Sequence, residues 1–204
     1  MKKAIVLFTS FWDADSIIGD QYFIVRSNDK KKYSKINLFV DKDGIPENFS
    51  VRSIALSHPN LSKLSKLMTL EKDAKMTRLD FFCPTYNILK RYKNDNDWDS
   101  YQRDFVDIVK NRKESIKDWI EGLIPNHLYI LCCWENTVGG ANCHRQILYK
   151  LFNKSPSAMK KMVCLYRDGA RDYKRKSSEW QHNSPLVEQD LVFTSLPHPE
   201  EIPF

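Results

Sequence analysis

The run Leu128–Cys133 (LYILCC) is the most strand-like part of the sequence, and it decides the fold class. A short, continuous apolar run of this kind is typical of a strand buried on both faces, as in a parallel sheet. A polar loop with Gly139-Gly140 follows, and Cys143–Phe152 then has apolar residues at helical spacing. This order of strand, loop and helix predicts a βαβ unit with residues 128–133 in the interior of the sheet.

Similar patterns extend in both directions from this unit. Ala4–Phe8 and Met162–Tyr166 are short apolar runs that predict further strands, and Tyr22–Val25 and Ile36–Val40 are weaker strand candidates. Between Trp98 and Leu123 the apolar residues fall on one helical face, which indicates either one long helix or two abutting helices.

These elements predict one three-layer α/β domain over residues 1–166, with a mainly parallel sheet between flanking helices. From Arg167 onward the sequence becomes basic and then contains four prolines, so residues 167–204 are predicted to form a C-terminal arm, packed on the domain or partly mobile. Basic and aromatic residues alternate between 167 and 180. This stretch is either a solvated face or a surface that follows a phosphate backbone, with nucleic acid as its partner.

The composition excludes several classes of protein. Of 204 residues, 42% are hydrophobic and 28% charged, which fits neither a disordered tail nor a coiled coil. The net charge of +6 permits an anionic partner. No run approaches the roughly 18–20 apolar residues of a membrane span, and Ala4–Phe8 is too short for a signal peptide. The odd number of cysteines, two of them adjacent, suits a reduced chain, so we expect a cytoplasmic protein without a membrane segment.

Candidate chemistry lies where the strand 128–133 ends. Cys133 and Glu135 would leave its carboxyl end, the edge at which ligands bind in open α/β sheets. Gly140 would let backbone amides approach a ligand, and the ring of Trp134 could cover a planar one. Ser10 follows the first strand and is expected on the wall of the same pocket.

The next helix is predicted to begin after Asn142, which places Cys143, His144 and Arg145 in its first turn. A helix N-terminus with an arginine suits an anionic group, and a cysteine there should have a lowered pKa and be nucleophilic. The predicted catalytic residues are Cys143, Glu135 and Cys133, and the predicted ligand-binding residues are Arg145, His144, Ser10, Trp134 and Gly140.

Two other interpretations of these residues remain open. In the first, Cys133 and Cys143 are small packing residues, and Arg145 pairs with Glu135 to hold the loop. The second is a zinc site, since cysteine, histidine and glutamate are all zinc ligands. The spacing has no CxxC pair, and adjacent residues such as Cys143 and His144 seldom both face one metal. We therefore expect no metal and no cofactor.

The combination of Cys-x-Glu (133–135) with Cys-His-Arg (143–145) resembles the family called domain of unknown function 488. Residues 84–93 (PTYNILKRYK) are similar to that family's proline-and-helix segment, and residues 98–105 (WDSYQRDF) to its W-x-x-Y helix start. Phe8-Thr9-Ser10-Phe11 resembles its first strand and Thr/Ser loop. The interval 29–75 has no counterpart, and Ile24-Val25-Arg26-Ser27 lacks the family's aspartate before the valine. The resemblance implies an α/β fold and a pocket built from these motifs, without a particular reaction.

Two functional hypotheses follow. The first is an enzyme that acts on a nucleotide or nucleic-acid base, with Arg145 holding an anionic group and Cys143 or Glu135 as nucleophile or general base. The second is a non-catalytic module that senses a nucleotide in the same pocket or holds nucleic acid on its basic face. In both cases the expected partner is an anionic small molecule or a nucleotide.

Overall fold

The computed structural model describes residues 3–19, 22–26, 33–37, 47–57, 60–72, 76–135 and 141–167. The strands are β1 (Ala4–Ser10), β2 (Tyr22–Arg26), β3 (Tyr33–Asn37), β4 (Phe49–Ser53), β5 (Met76–Arg78), β6 (Leu128–Cys133) and β7 (Met162–Tyr166). The helices are α1 (Phe11–Gly19), α2 (Ser65–Lys72), α3 (Tyr86–Asp95), α4 (Trp98–Asn111), α5 (Lys113–Glu121), α6 (His144–Lys154) and α7 (Pro156–Lys161), with a 3-10 turn at Asp80–Phe82.

Five strands form one parallel sheet in the order β5-β4-β6-β1-β7, and β2 and β3 form a separate antiparallel pair. Helix α1 packs against α2, whereas α4 packs against α6 and α5 against α7. Right-handed crossovers that run in opposite directions along a sheet place their helices on opposite faces. The predicted three-layer α/β fold is confirmed.

The interior position predicted for 128–133 is also confirmed. β6 lies between β4 and β1, and all six of its residues are buried. β1 is buried along nearly its whole length, because helices cover both faces of the sheet. Phe8 packs against Phe152 of α6, and Phe152 in turn packs against Phe82.

The amphipathic stretch that starts at Trp98 consists of two abutting helices, one of the two predicted alternatives. Its break is at Arg112, whose φ and ψ of −108° and 15° leave the helical region. The Arg112 Nη1 donates to the carbonyl oxygens of Asp80 and Cys83, at 2.9 and 2.6 Å. The bend therefore connects α4 and α5 to the segment that leads into α3.

Three strands differ from the sequence prediction, and one of them is the three-residue β5, which was not predicted. β4 was not predicted, since its apolar residues alternate with Ser50 and Arg52 instead of forming a continuous run. β3 spans Tyr33–Asn37, earlier than the predicted Ile36–Val40, of which residues 38–40 lie outside the described residues.

The order of the strands creates a switch point between β4 and β6. The chain leaves β4 toward the β5 edge of the sheet, but leaves β6 toward the β7 edge. Neighbouring strands whose connections diverge in this way leave a crevice outside their carboxyl ends, and ligands of open α/β sheets bind there.

Residues 168–204, and with them almost all of the predicted C-terminal arm and its basic stretch, lie outside the described residues. Within the described ranges, no helix combines the length and the apolar character needed to cross a membrane. All five cysteines are in the described part of the chain and are free thiols.

Candidate functional site

A cavity of about 460 Å³ opens at the switch point between β4 and β6. It is lined by the segments that follow these two strands, by the end of α3, by the start of α4 and by the residues that precede α6. The lining residues are Ala55, Leu56, Ser57, Pro84, Leu89, Tyr92, Lys93, Asn96, Trp98, Tyr101, Cys133, Trp134, Glu135, Ala141, Asn142, Cys143 and His144.

Two of the predicted catalytic residues leave β6 together. Cys133 is the last residue of the strand, and its Sγ lies 3.1 Å from Oε2 of Glu135. The same Oε2 is 3.3 Å from Sγ of Cys143, the third predicted catalytic residue. One carboxylate oxygen therefore contacts both thiols, and the three residues meet at the cavity surface.

The start of α6 differs by one residue from the prediction. Cys143, not Asn142, is the N-cap, and the helix begins at His144. Gln146 supports this start because its Oε1 accepts a hydrogen bond of 2.9 Å from the Cys143 backbone N–H. The Asn142 side chain instead donates to the hydroxyl of Tyr92 at 3.4 Å, which connects the segment before α6 with α3.

His144 has a defined orientation and tautomer. Its Nε2 lies 2.9 Å from the carbonyl oxygen of Ile54, directly after β4. A carbonyl only accepts, so Nε2 carries a proton, and in the neutral imidazole Nδ1 then presents a lone pair. Nδ1 lies 3.8 Å from Sγ of Cys143 and 4.0 Å from Sγ of Cys133. We refer to Cys133, Glu135, Cys143 and His144 as the thiol cluster.

Arg145 lies behind the thiol cluster, not among the described lining residues of the cavity. Its side chain is fully buried, its Nε donates to Sγ of Cys143 at 3.3 Å, and its Nη2 donates to the carbonyl oxygen of Glu135. The sequence allowed two roles for Arg145, binding of a ligand or pairing with Glu135. The observed position fits the pairing with Glu135, which is made through the Glu135 backbone carbonyl.

The other predicted ligand-binding residues have different placements. Ser10 is next to Cys133 in the β1–β6 register, but its buried hydroxyl donates to Asp13 Oδ2 at 3.0 Å, and it is not among the described residues of the cavity wall. Trp134 does line the cavity, with its ring packed edge-on against Phe11. Gly140 lies outside the described residues.

A group of aromatic side chains that lines the same cavity as the thiol cluster was not predicted as part of the site. Trp98 and Tyr101 are stacked, with ring centroids 5.2 Å apart, and Tyr92 packs against both. We refer to Tyr92, Trp98 and Tyr101 as the aromatic wall. All three come from the two segments that carry the family resemblance. The sequence feature that could have identified the aromatic wall is the i to i+3 spacing of Trp98 and Tyr101 at the capped start of α4. Lys93, also missed, contributes a positive charge to the lining.

Burial is the largest single influence on the pKa values of Cys133, Glu135 and Cys143. It raises the pKa of Cys133 well above its usual value, and it raises the pKa of Glu135. Burial also acts upward on Cys143, but the hydrogen bond with Cys133 and the charge of Arg145 outweigh it, so the pKa of Cys143 falls well below its usual value.

Comparison with known proteins found no match, whether with protein-family models, curated proteins or solved structures. The resemblance to the domain of unknown function 488 family therefore stays a prediction.

Proposed function

We propose that the protein is an enzyme that acts on a nucleotide or a nucleic-acid base bound in the cavity at the switch point. The observation that carries this proposal is that the aromatic wall and the thiol cluster line the same cavity. One supplies flat apolar surface for a planar ring, and the other supplies groups that transfer protons.

The position and size of the cavity support this proposal. It lies outside the carboxyl ends of β4 and β6, the place at which open α/β sheets bind nucleotides. Its volume of about 460 Å³ is within the range of roughly 300–1,000 Å³ that is usual for small-molecule sites.

The lining chemistry suits the parts of a nucleotide. The rings of Trp98 and Trp134 offer faces on which a base can stack, and such stacking tolerates different bases. Asn96 and Asn142 carry amides that can bind the polar edge of a base. Lys93 provides a positive charge for a phosphate group.

Glu135 is the best-placed group for proton transfer. It lines the cavity, it is only partly buried, and it is held from behind through its own carbonyl by Arg145. Cys143 also lines the cavity, but it is 2% exposed and Glu135, His144 and Arg145 all contact its sulfur. We therefore assign Glu135 the role of general acid or base, and Cys133 and Cys143 the supporting surface beneath the reacting group.

The direct test is a panel of nucleobases, nucleosides, nucleotides and short single-stranded oligonucleotides incubated with the full chain. Mass spectrometry of the reaction mixtures detects products, and mass spectrometry of the denatured protein detects any retained molecule. Turnover of a panel member supports the proposal, and binding without turnover supports the non-catalytic module instead. A panel that is neither bound nor converted would contradict both.

Trp98→Ala is expected to weaken binding of the bound base or nucleotide by roughly 5- to 150-fold, since loss of one stacking ring costs about 1–3 kcal/mol. Titration calorimetry measures the dissociation constant. The matched control is Tyr86→Ala on the neighbouring helix, whose ring is 64% exposed and not among the described lining residues. Equal effects of the two substitutions would remove the aromatic wall from the binding site.

A further inference from the structure

We infer that Cys133, Cys143 and His144 form a binding site for a zinc ion, with an open coordination position toward the cavity. This inference rests on the arrangement of the donor atoms, so it holds whatever molecule the cavity binds.

The three donor atoms have the spacing that a tetrahedral metal requires. The two Sγ atoms and Nδ1 of His144 all lie within 4.8 Å of one another, and the sulfur–nitrogen distances are 3.8 and 4.0 Å. Zinc bonds of about 2.3 Å to sulfur and about 2.0–2.1 Å to nitrogen place tetrahedral ligand atoms about 3.5–3.8 Å apart. The two sulfur–nitrogen distances exceed this spacing by only a few tenths of an ångström.

The imidazole is already oriented for metal binding. The Ile54 carbonyl fixes the proton of His144 on Nε2, which leaves the lone pair of Nδ1 directed at the two sulfurs. Histidine ligands usually donate their other N–H to a carbonyl or carboxylate in this way, because it fixes the ring and the tautomer. Phe105 packs 5.2 Å from the imidazole ring and limits its movement further.

The charges of the site balance with a divalent cation. Metal binding deprotonates both cysteine ligands. The two thiolates and the Glu135 carboxylate then carry three negative charges, Arg145 carries one positive charge, and a divalent ion neutralises the remaining two. The Arg145 Nε donates to Sγ of Cys143 at 3.3 Å, which stabilises a thiolate ligand. Two soft sulfurs with one imidazole favour zinc over magnesium or calcium.

The arrangement matches a catalytic metal site more closely than a structural one. Structural zinc sites are closed by four protein ligands, whereas catalytic sites have three and keep one position open. Here three donors converge beside a cavity, and Glu135 lines that cavity within 3.1 and 3.3 Å of the two sulfurs. Glu135 is thus the group placed beside the open position.

Cobalt(II) is the probe for this site because it replaces zinc in tetrahedral sites and absorbs light. We expect the full chain, stripped with chelator and kept reduced, to bind one equivalent of cobalt. Its spectrum should show a thiolate-to-cobalt charge-transfer band and the visible bands of tetrahedral cobalt, and one equivalent of zinc should abolish both. Cys133→Ser and Cys143→Ser should each weaken cobalt binding by more than about 100-fold. Removing a residue that only hydrogen-bonds to a metal ligand costs at most about 100-fold, so a larger loss identifies a direct ligand.

Cys132→Ala is the matched control, since Cys132 is fully buried beside Cys133 but outside the cluster of donor atoms. It should bind cobalt as the parent chain does. Circular dichroism verifies that each variant is folded.

A second measurement on the parent chain does not depend on variants. Alkylation followed by peptide mass spectrometry should show that zinc protects Cys133 and Cys143 but not Cys164, which is only partly buried on β7. No charge-transfer band, or no selective protection by zinc, would overturn the inference. Formation of a disulfide between Cys133 and Cys143 that zinc does not prevent would overturn it as well.

Discussion

Replacing Arg145 by alanine is expected to lower the free energy of unfolding by about 3–5 kcal/mol, as for other buried charged groups whose partners are left behind. The side chain has no exposed surface, and it donates to the Glu135 carbonyl and to Sγ of Cys143. Its guanidinium carbon also lies 5.8 Å from the ring centroid of Tyr166. The substitution leaves buried acceptors unpaired and opens a cavity beneath the site.

Urea unfolding followed by circular dichroism measures this loss, with chelator and reductant present so that metal binding does not change the result. The matched control is Arg103→Ala, an exposed arginine of α4 that bonds to Ser100, for which little change is expected. Arg145→Lys should also be destabilised, because a lysine cannot supply two donors in one plane. An Arg145→Ala chain as stable as the parent but unable to bind ligand would mean that Arg145 contacts the ligand directly.

Glu135→Gln is expected to reduce turnover of the substrate found in the nucleotide panel by about 100- to 10,000-fold, the usual contribution of a positioned general acid or base. Glutamine keeps the shape of the side chain, and the Glu135 carbonyl that Arg145 holds is unchanged. The dissociation constant of the substrate should therefore change far less than kcat. Rates come from product formation measured by mass spectrometry.

Glu121→Gln is the control for this substitution, because Glu121 is an exposed carboxylate paired with Lys161, and neither residue is among the described lining residues of the cavity. Its turnover should equal that of the parent chain. Glu135→Asp should recover part of the lost turnover, which a purely structural role for the side chain would not predict. Unchanged turnover in Glu135→Gln would exclude Glu135 from proton transfer.

The parallel sheet was largely predictable because its central strands are continuous apolar runs. β1, β6 and β7 were identified from their continuous apolar runs, which in β1 and β6 reflect burial on both faces of the sheet. β4 was missed because only alternate residues are fully buried, and β5 because it has three residues. Because β4 and β5 were not predicted, the switch point was not predicted either, since it exists only where β4 lies next to β6.

The meeting of Cys133, Glu135 and Cys143 was predictable from the order of strand, loop and helix. The orientation of Arg145 was not, because successive residues of a helix are rotated by about 100°, so Arg145 and His144 face different directions. Cys143 and His144 are adjacent in the sequence, and adjacent helical residues seldom face one metal, so no metal site was predicted. Cys143 is an extended N-cap and not a helical residue, and that backbone conformation lets both side chains face Cys133.

The position of β6 between β1 and β4 has a consequence for synthesis of the chain. β1 and β4 are both synthesised long before residue 128. Until β6 is available, the edge of each strand that will face β6 has unpaired backbone N–H and C=O groups. In the finished sheet β1 and β4 are separated by the width of one strand, roughly 10 Å. Direct pairing of β1 with β4 would satisfy these edges in a sheet that has no place for β6. The nascent chain is therefore exposed to a competing misfolded topology, and the bond between Ile54 and His144, 90 residues apart, forms only after that competition has been resolved.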